Sequence, residues 1–213
     1  MPHENLMTTP PDSAAPAPRG IEATIATCRS VQAFSSRPVT TEEAADIVRV
    51  AARAPSVDPA LSWNLRVLDR VAIERIGAVA EDGTVPLRDE NAGVTTDLYE
   101  LLGICRNYRG RTKHAFDLHG APVGLLVTTD RRLGMASWLD LGMFIQNIVL
   151  LAAERGLASC VCLSLEGSER GIREVAGLAD SETIVCGLAL GYENRAAPSQ
   201  GSTKGPDWLR VVE

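Results

Sequence analysis

With 213 residues, the chain has room for one domain with a substantial core and hardly enough for two. Hydrophobic residues at 45% and charged residues at 23% are an ordinary balance for a globular fold, and 21 basic against 27 acidic residues leave a net charge of −6, which argues against a nucleic-acid surface. No window reaches the roughly 18 uninterrupted apolar residues of a membrane span, because Asp140, Gln146 and Asn147 break the longest apolar stretch, Leu139–Ala153.

Residues 1–20 end in PPDSAAPAPRG and lack hydrophobic periodicity, so a disordered arm is expected there, without the basic start and apolar block of a secretory signal. The single domain is expected over 21–213. Thr40-Thr41-Glu42-Glu43 has the form of a capping box, and Ala44, Ile47, Val48 and Ala51 follow at helical spacing until Pro55. After Trp63, Leu65 and Val67 alternate with polar neighbours and predict a short strand. Val71–Ala80 predicts a helix, Asp82-Gly83 a turn, and Val94–Asn107 a further helix. Val123–Thr128 predicts a buried strand. The strongest helix follows, with Ser137 as its expected cap, Asp140 completing the box, and Gly156 ending it; being apolar nearly all round, it is expected to lie centrally. Ser159–Leu163 and Thr183–Leu190 predict strands, with a helix at Glu169–Ala176 between them. This order is not regular βαβ alternation, so the class is α+β.

Five cysteines, an odd number, sit mostly in apolar runs (Cys160, Cys162, Cys186), as expected of buried thiols in a reducing cytoplasm. The Cys160-Val161-Cys162 spacing has no second cysteine pair and no suitably spaced histidine beside it, so no metal site is expected; His3, His114 and His119 read as surface or loop residues.

Several segments together resemble a known family. Cys28-Arg29-Ser30-Val31-Gln32-Ala33-Phe34 with Arg37-Pro38-Val39 resembles the R-R-S-x-R-x-F…P-V opening of FMN-dependent nitroreductases. Ala54-Pro55-Ser56 followed by Trp63, then GAPVGLLVTTDR, SWLDLGMFIQN, LLAAERGL and VCGLALGY, resembles the subgroup containing nitrobenzoate reductases. The likeness runs from Ile21 to Lys204. It implies a nitroreductase-like α+β fold, a central mostly antiparallel sheet flanked by helices, in an intertwined homodimer with one FMN at each of two interface sites. It also implies NAD(P)H as electron donor and a small molecule as acceptor, with no nucleic acid and no membrane as partner.

By that resemblance Arg29 and Ser30 fall at phosphate and ribityl contacts, Gln32 at the pyrimidine edge of the flavin, and Ser56 on a segment reaching the flavin from the partner subunit. Val161, Cys162 and Leu163 fall over the reactive nitrogen side of the ring, and Lys204 at a phosphate-binding cation of the tail. No catalytic side chain is implied, since protons can come from solvent. Cys28 and Gln32 stand where the family usually has cations; Val57 is a further departure, and Pro59 and Leu61-Ser62 replace the family's Asn and Gln-Pro. These departures imply a weaker hold on flavin and a lower potential. The leading expectation is an FMN-dependent reductase of nitroaromatic or quinone-like acceptors. The alternatives are a degenerate relative that binds flavin weakly or not at all, in a storage or interaction role, and a specialised biosynthetic flavin oxidase. Trp63 reads as a core or interface aromatic, Gln146 and Asn147 as buried amides satisfied by backbone, and Gly142 as a point of close helix approach.

Overall fold

The structure, a computed structural model of the chain, describes residues 20–56, 63–82, 117–130, 135–162 and 169–196. The expected arm, the helix at Val94–Asn107, the Gly83 turn position, Leu163 and Lys204 lie outside the described residues.

Two short helices open the fold. Helix α1, Ile21–Thr27, is tied down by Thr24, whose hydroxyl donates to Glu154 at 2.6 Å. Helix α2, Thr41–Ala51, begins at the expected capping box: the Thr40 hydroxyl accepts from the Glu43 amide, and the Glu43 carboxylate accepts from the Thr40 amide. Its buried face is Ala44, Ile47 and Ala51. Strand β1, Asn64–Leu68, leads directly into helix α3, Arg70–Asp82.

A tight turn at Asp117–Gly120 precedes strand β2, Val123–Asp130. Leu118, His119 and Gly120 all take positive φ there (50°, 57° and 73°). Two of them carry side chains, and each such residue costs about 1 kcal/mol in the left-handed region. Leu118 is locked by burial at 5% exposure, seated over Gly124 of β2, where even a methyl group would collide with its Cδ1.

Helix α4, Met135–Glu154, is the longest element among the described residues and starts three residues earlier than expected, so Ser137 lies within its first turn instead of capping it. The Asp140 carboxylate, 2% exposed, accepts from the Ser56 hydroxyl at 3.0 Å, which ties α4 to the segment leaving α2. The far end matches expectation. Gly156 adopts φ 75°, the Leu157 amide donates to Ala152 O, and the Gly156 amide donates to Ala153 O, the paired bonds of a glycine-terminated helix. Strand β3, Ala158–Cys162, helix α5, Glu169–Ala176, and strand β4, Glu182–Gly191, complete the described elements.

The sheet runs β1-β2-β4-β3, and every neighbouring pair is antiparallel. A bulge at Val127/Thr128 shifts the β2–β4 register. Alternation along the strands divides the core in two. Val123, Leu125 and Val127 of β2 and Cys186, Leu188 and Leu190 of β4 face α2 and α4, joined by Ile47, Phe144 and Ile148. Leu126, Ala189, Cys160 and Cys162 face the other way, against Ile73 and Ile76 of α3, Ile172 of α5, and Leu118.

Helix α4 is not enclosed on all sides within the chain. Leu141, Phe144, Ile148 and Ala152 are buried, while Leu139 is 69% exposed and Gly142 and Gln146 are open to solvent. Gln146 is thus not a buried amide. Asn147 is half-buried and donates to Ala51 O at 3.3 Å.

Candidate functional site

The chain leaving α1 is laid along the outer margin of the sheet. Ser30 forms a parallel bridge with Ser159 of β3, the Val31 amide donating to Ser159 O at 2.9 Å. Farther on, Phe34 bridges Glu193, the Asn194 amide donates to Ala33 O, and the Ser35 amide donates to Tyr192 O. Gly191 lets this crossing close up, since a Cβ there would lie 2.7 Å from Pro122 Cδ and 2.9 Å from Phe34 Cδ1. Arg37 stacks its guanidinium 3.7 Å from the centre of the Tyr192 ring.

This threading brings Arg29, Ser30 and Gln32 to the same edge as Val161 and Cys162. Arg29 is exposed, and its fork embraces Glu193 with Nη1–Oε1 at 2.9 Å, Nη2–Oε1 at 2.8 Å and Nη2–Oε2 at 2.9 Å. The bridge from Ser30 meets β3 at Ser159, two residues before Val161. Cys28, the departure beside Arg29, is half-buried, and burial pushes its thiol upward.

On β3, successive residues face opposite ways. Val161 packs toward the α2/α4 side, whereas Cys160 and Cys162, 4% and 5% exposed, share the face toward the Asp117–Gly120 turn. That turn presents His119 to them. The imidazole nitrogen and the two Sγ atoms all lie within 4.8 Å of one another. Hydrogen bonds from Cys162, His119 and Gln32 hold the Cys160 thiol well below its usual range, the Cys162 bond being the largest influence. The same bond to Cys160, reinforced by burial, pushes Cys162 far up. His119 is a loop residue, as read from the sequence, but its nearness to Cys160 and Cys162 has no counterpart in sequence spacing: these partners are distant in sequence and meet through the sheet pairing and the left-handed turn.

Ser56 lies apart from this assembly in the chain; its bond to Asp140 places it at the first half of α4. Trp63 stacks on Phe144 with ring centres 4.8 Å apart and 13° between planes, a core aromatic as expected.

Comparison with known proteins gives consistent results. The nitroreductase family profile matches residues 25–192. The 4-nitrobenzoate reductase of Pseudomonas putida is 32% identical over 198 residues, covering 83% of this chain and 86% of the relative. The nitrobenzene nitroreductase of Ectopseudomonas oleovorans is 31% identical over 193 residues, covering 80% and 85% respectively. Among solved structures, the FMN and NADPH-dependent nitroreductase NfnB from Sphigopyxis sp. strain HMH superimposes with a TM-score of 0.71 at 27% identity, over 90% of this chain and 100% of that one.

Proposed function

Because the chain belongs to the nitroreductase family, we propose that it is an FMN-dependent oxidoreductase drawing electrons from NAD(P)H and passing them to nitroaromatic or quinone-like acceptors. The observation that carries this reading is the threading of residues 29–32 along β3, which gathers a cation, a hydroxyl and an amide beside Val161 and Cys162.

The donor set fits the group. A guanidinium has five N–H donors, and the Glu193 carboxylate engages only Nη1 and Nη2, leaving Nε free to meet a phosphate oxygen. Bound FMN would supply the hydride chemistry, while the protein contributes orientation and electrostatics. Arg29 and Ser30 would hold the phosphate and ribityl chain, with Lys204 as a second cation. Gln32 would donate to the pyrimidine edge without adding charge. Val161, Cys162 and Leu163 would offer backbone N–H groups to the ring. No side chain is assigned as general acid, and protons come from solvent.

A homodimer belongs to the same reading. Leu139, Gly142 and Gln146 form an exposed stripe on α4, and Ile21 and Ile25 are 66% and 57% exposed on α1, an apolar surface suited to a second copy. Such a partner would bring its own Ser56 segment to the flavin. The free cysteines suit a cytoplasmic setting, and among the described residues no helix is long and apolar enough to cross a membrane.

The test is the visible spectrum of protein purified with FMN. Yellow protein bleached by NAD(P)H and reoxidised by 4-nitrobenzoate is the expected result; a colourless protein that takes up no FMN overturns it. One observation favours a second reading, weak retention of flavin: Arg29 is already paired with Glu193, and Gln32 is turned to the Cys160 sulfur. A flavin dissociation constant far above that of the relatives, with turnover only at high added FMN, is the outcome specific to that reading.

A further inference from the structure

The geometry points to a binding site for one thiophilic cation of the zinc class, formed by His119, Cys160 and Cys162 on the face of β3 opposite Val161. The three candidate ligand atoms already lie within 4.8 Å of one another. A tetrahedral zinc with sulfur at about 2.3 Å and nitrogen at about 2.0 Å needs them roughly 3.5–3.8 Å apart, so a shift of about an ångström in side-chain torsions closes the set. Two thiolates and an imidazole are the ligands such ions prefer.

A disulfide is the competing use of two neighbouring cysteines, and strand geometry removes it. Residues two apart on one face of a strand are separated by about 6.6 Å, whereas a disulfide holds its Cβ atoms about 3.5–4.5 Å apart. The sulfurs can converge on an ion between them but cannot bond without breaking β3 away from β4, to which Cys160 and Cys162 are paired.

Two further observations favour a ligand over a merely satisfied core histidine. The turn bearing His119 holds three consecutive residues at positive φ, with Leu118 packed closely over Gly124. Two residues before His119, Asp117 Oδ1 is buried with no hydrogen-bond partner among the described residues. His119 is only half-buried, which gives an ion a way in, and the three protein ligands leave a fourth position for water.

This site does not depend on the flavin reading, and its test reads no activity. The full-length protein, reduced and freed of metal by chelator, is titrated with Co2+ without oxygen, with and without FMN. The expected result is a thiolate-to-cobalt charge-transfer band that saturates at one ion per chain and is abolished by Zn2+. Cys162→Ser and His119→Gln should each lower Co2+ affinity by at least about tenfold, and Zn2+ should raise the melting temperature of the wild type but not of His119→Gln. Cys28→Ser, altered outside the cluster, should keep the band. His119→Gln lies on a half-buried turn and keeps the test valid if a cysteine variant fails to fold. Absence of the band in folded, reduced wild-type protein overturns the proposal, as does a band that persists in both His119→Gln and Cys162→Ser.

Discussion

Arg29 faces two demands on one guanidinium. Glu193 holds it in place through three short contacts, and the proposed phosphate must share it. Arg29→Ala is expected to weaken FMN about tenfold to a hundredfold, the range for hydrogen bonds to a charged group, as measured by quenching of flavin fluorescence. Arg29→Lys should recover only part of this, because an ammonium cannot reproduce the fork. Glu193→Gln should act the other way, tightening FMN by about threefold, since removing a surface-pair charge is worth little but leaves a more positive site. A different carboxylate governs acid stability. Glu182 accepts from Arg66 Nη1 and Nη2, both at 2.8 Å, from the Thr128 hydroxyl at 2.6 Å and from the Ala179 amide at 3.0 Å. Arg66 first, then Thr128 and Ala179, hold its pKa down to about 2 against the opposing effect of burial. With an unfolded value of about 4.3, its contribution is complete at neutral pH and drains away as pH falls from about 4.3 toward 2. Urea denaturation across that range should show a shallower acid limb for Glu182→Gln, which should also cost about 2 kcal/mol at pH 7 by stranding Arg66.

At the level of elements, the signals readable from the sequence were the local ones. The capping box at Thr40 placed α2, the two-residue alternation of Leu65 and Val67 placed β1, and the glycine after Arg155 placed the end of α4. Thr40→Ala should cost about 1 kcal/mol in thermal unfolding, as the loss of one capped amide. Where a side chain had two possible uses, local reading failed. Asp140 suits a capping box by spacing, yet it lies beyond the first turn of a helix that begins at Met135 and accepts from Ser56, a contact that only tertiary packing creates. The same limit hid His119: no spacing rule links it to Cys160, because the link passes through the β3–β4 pairing and a left-handed turn. Arg29, Ser30 and Gln32 were named as a group through the family resemblance of their segment, whereas their approach to β3 needed the parallel bridge at Ser159. The exposed stripe of α4 carries its own test. Leu139→Arg places a charge on the surface assigned to the second copy, and the expected outcome is a halved mass in sedimentation with little change in the far-ultraviolet circular dichroism. An unchanged dimer would move the interface elsewhere.

For the molecule as a whole, the margin of the sheet is where early and late parts of the chain meet. Residues 30–35 touch both Ser159 and residues 192–194, so the proposed cofactor edge exists only once β3 and β4 are in place. Bound FMN should therefore slow amide hydrogen exchange at Val31, Ser35 and Asn194 together, whereas Ile73 in α3 should be unaffected. The threading has one more effect, independent of any cofactor. An uncovered strand at the end of a sheet offers its unpaired amides and carbonyls as a template for other chains. By lying across Ser159, the stretch after α1 acts as a guard strip, and peeling it away would leave β3 free to recruit the same strand of a neighbouring molecule into aggregates.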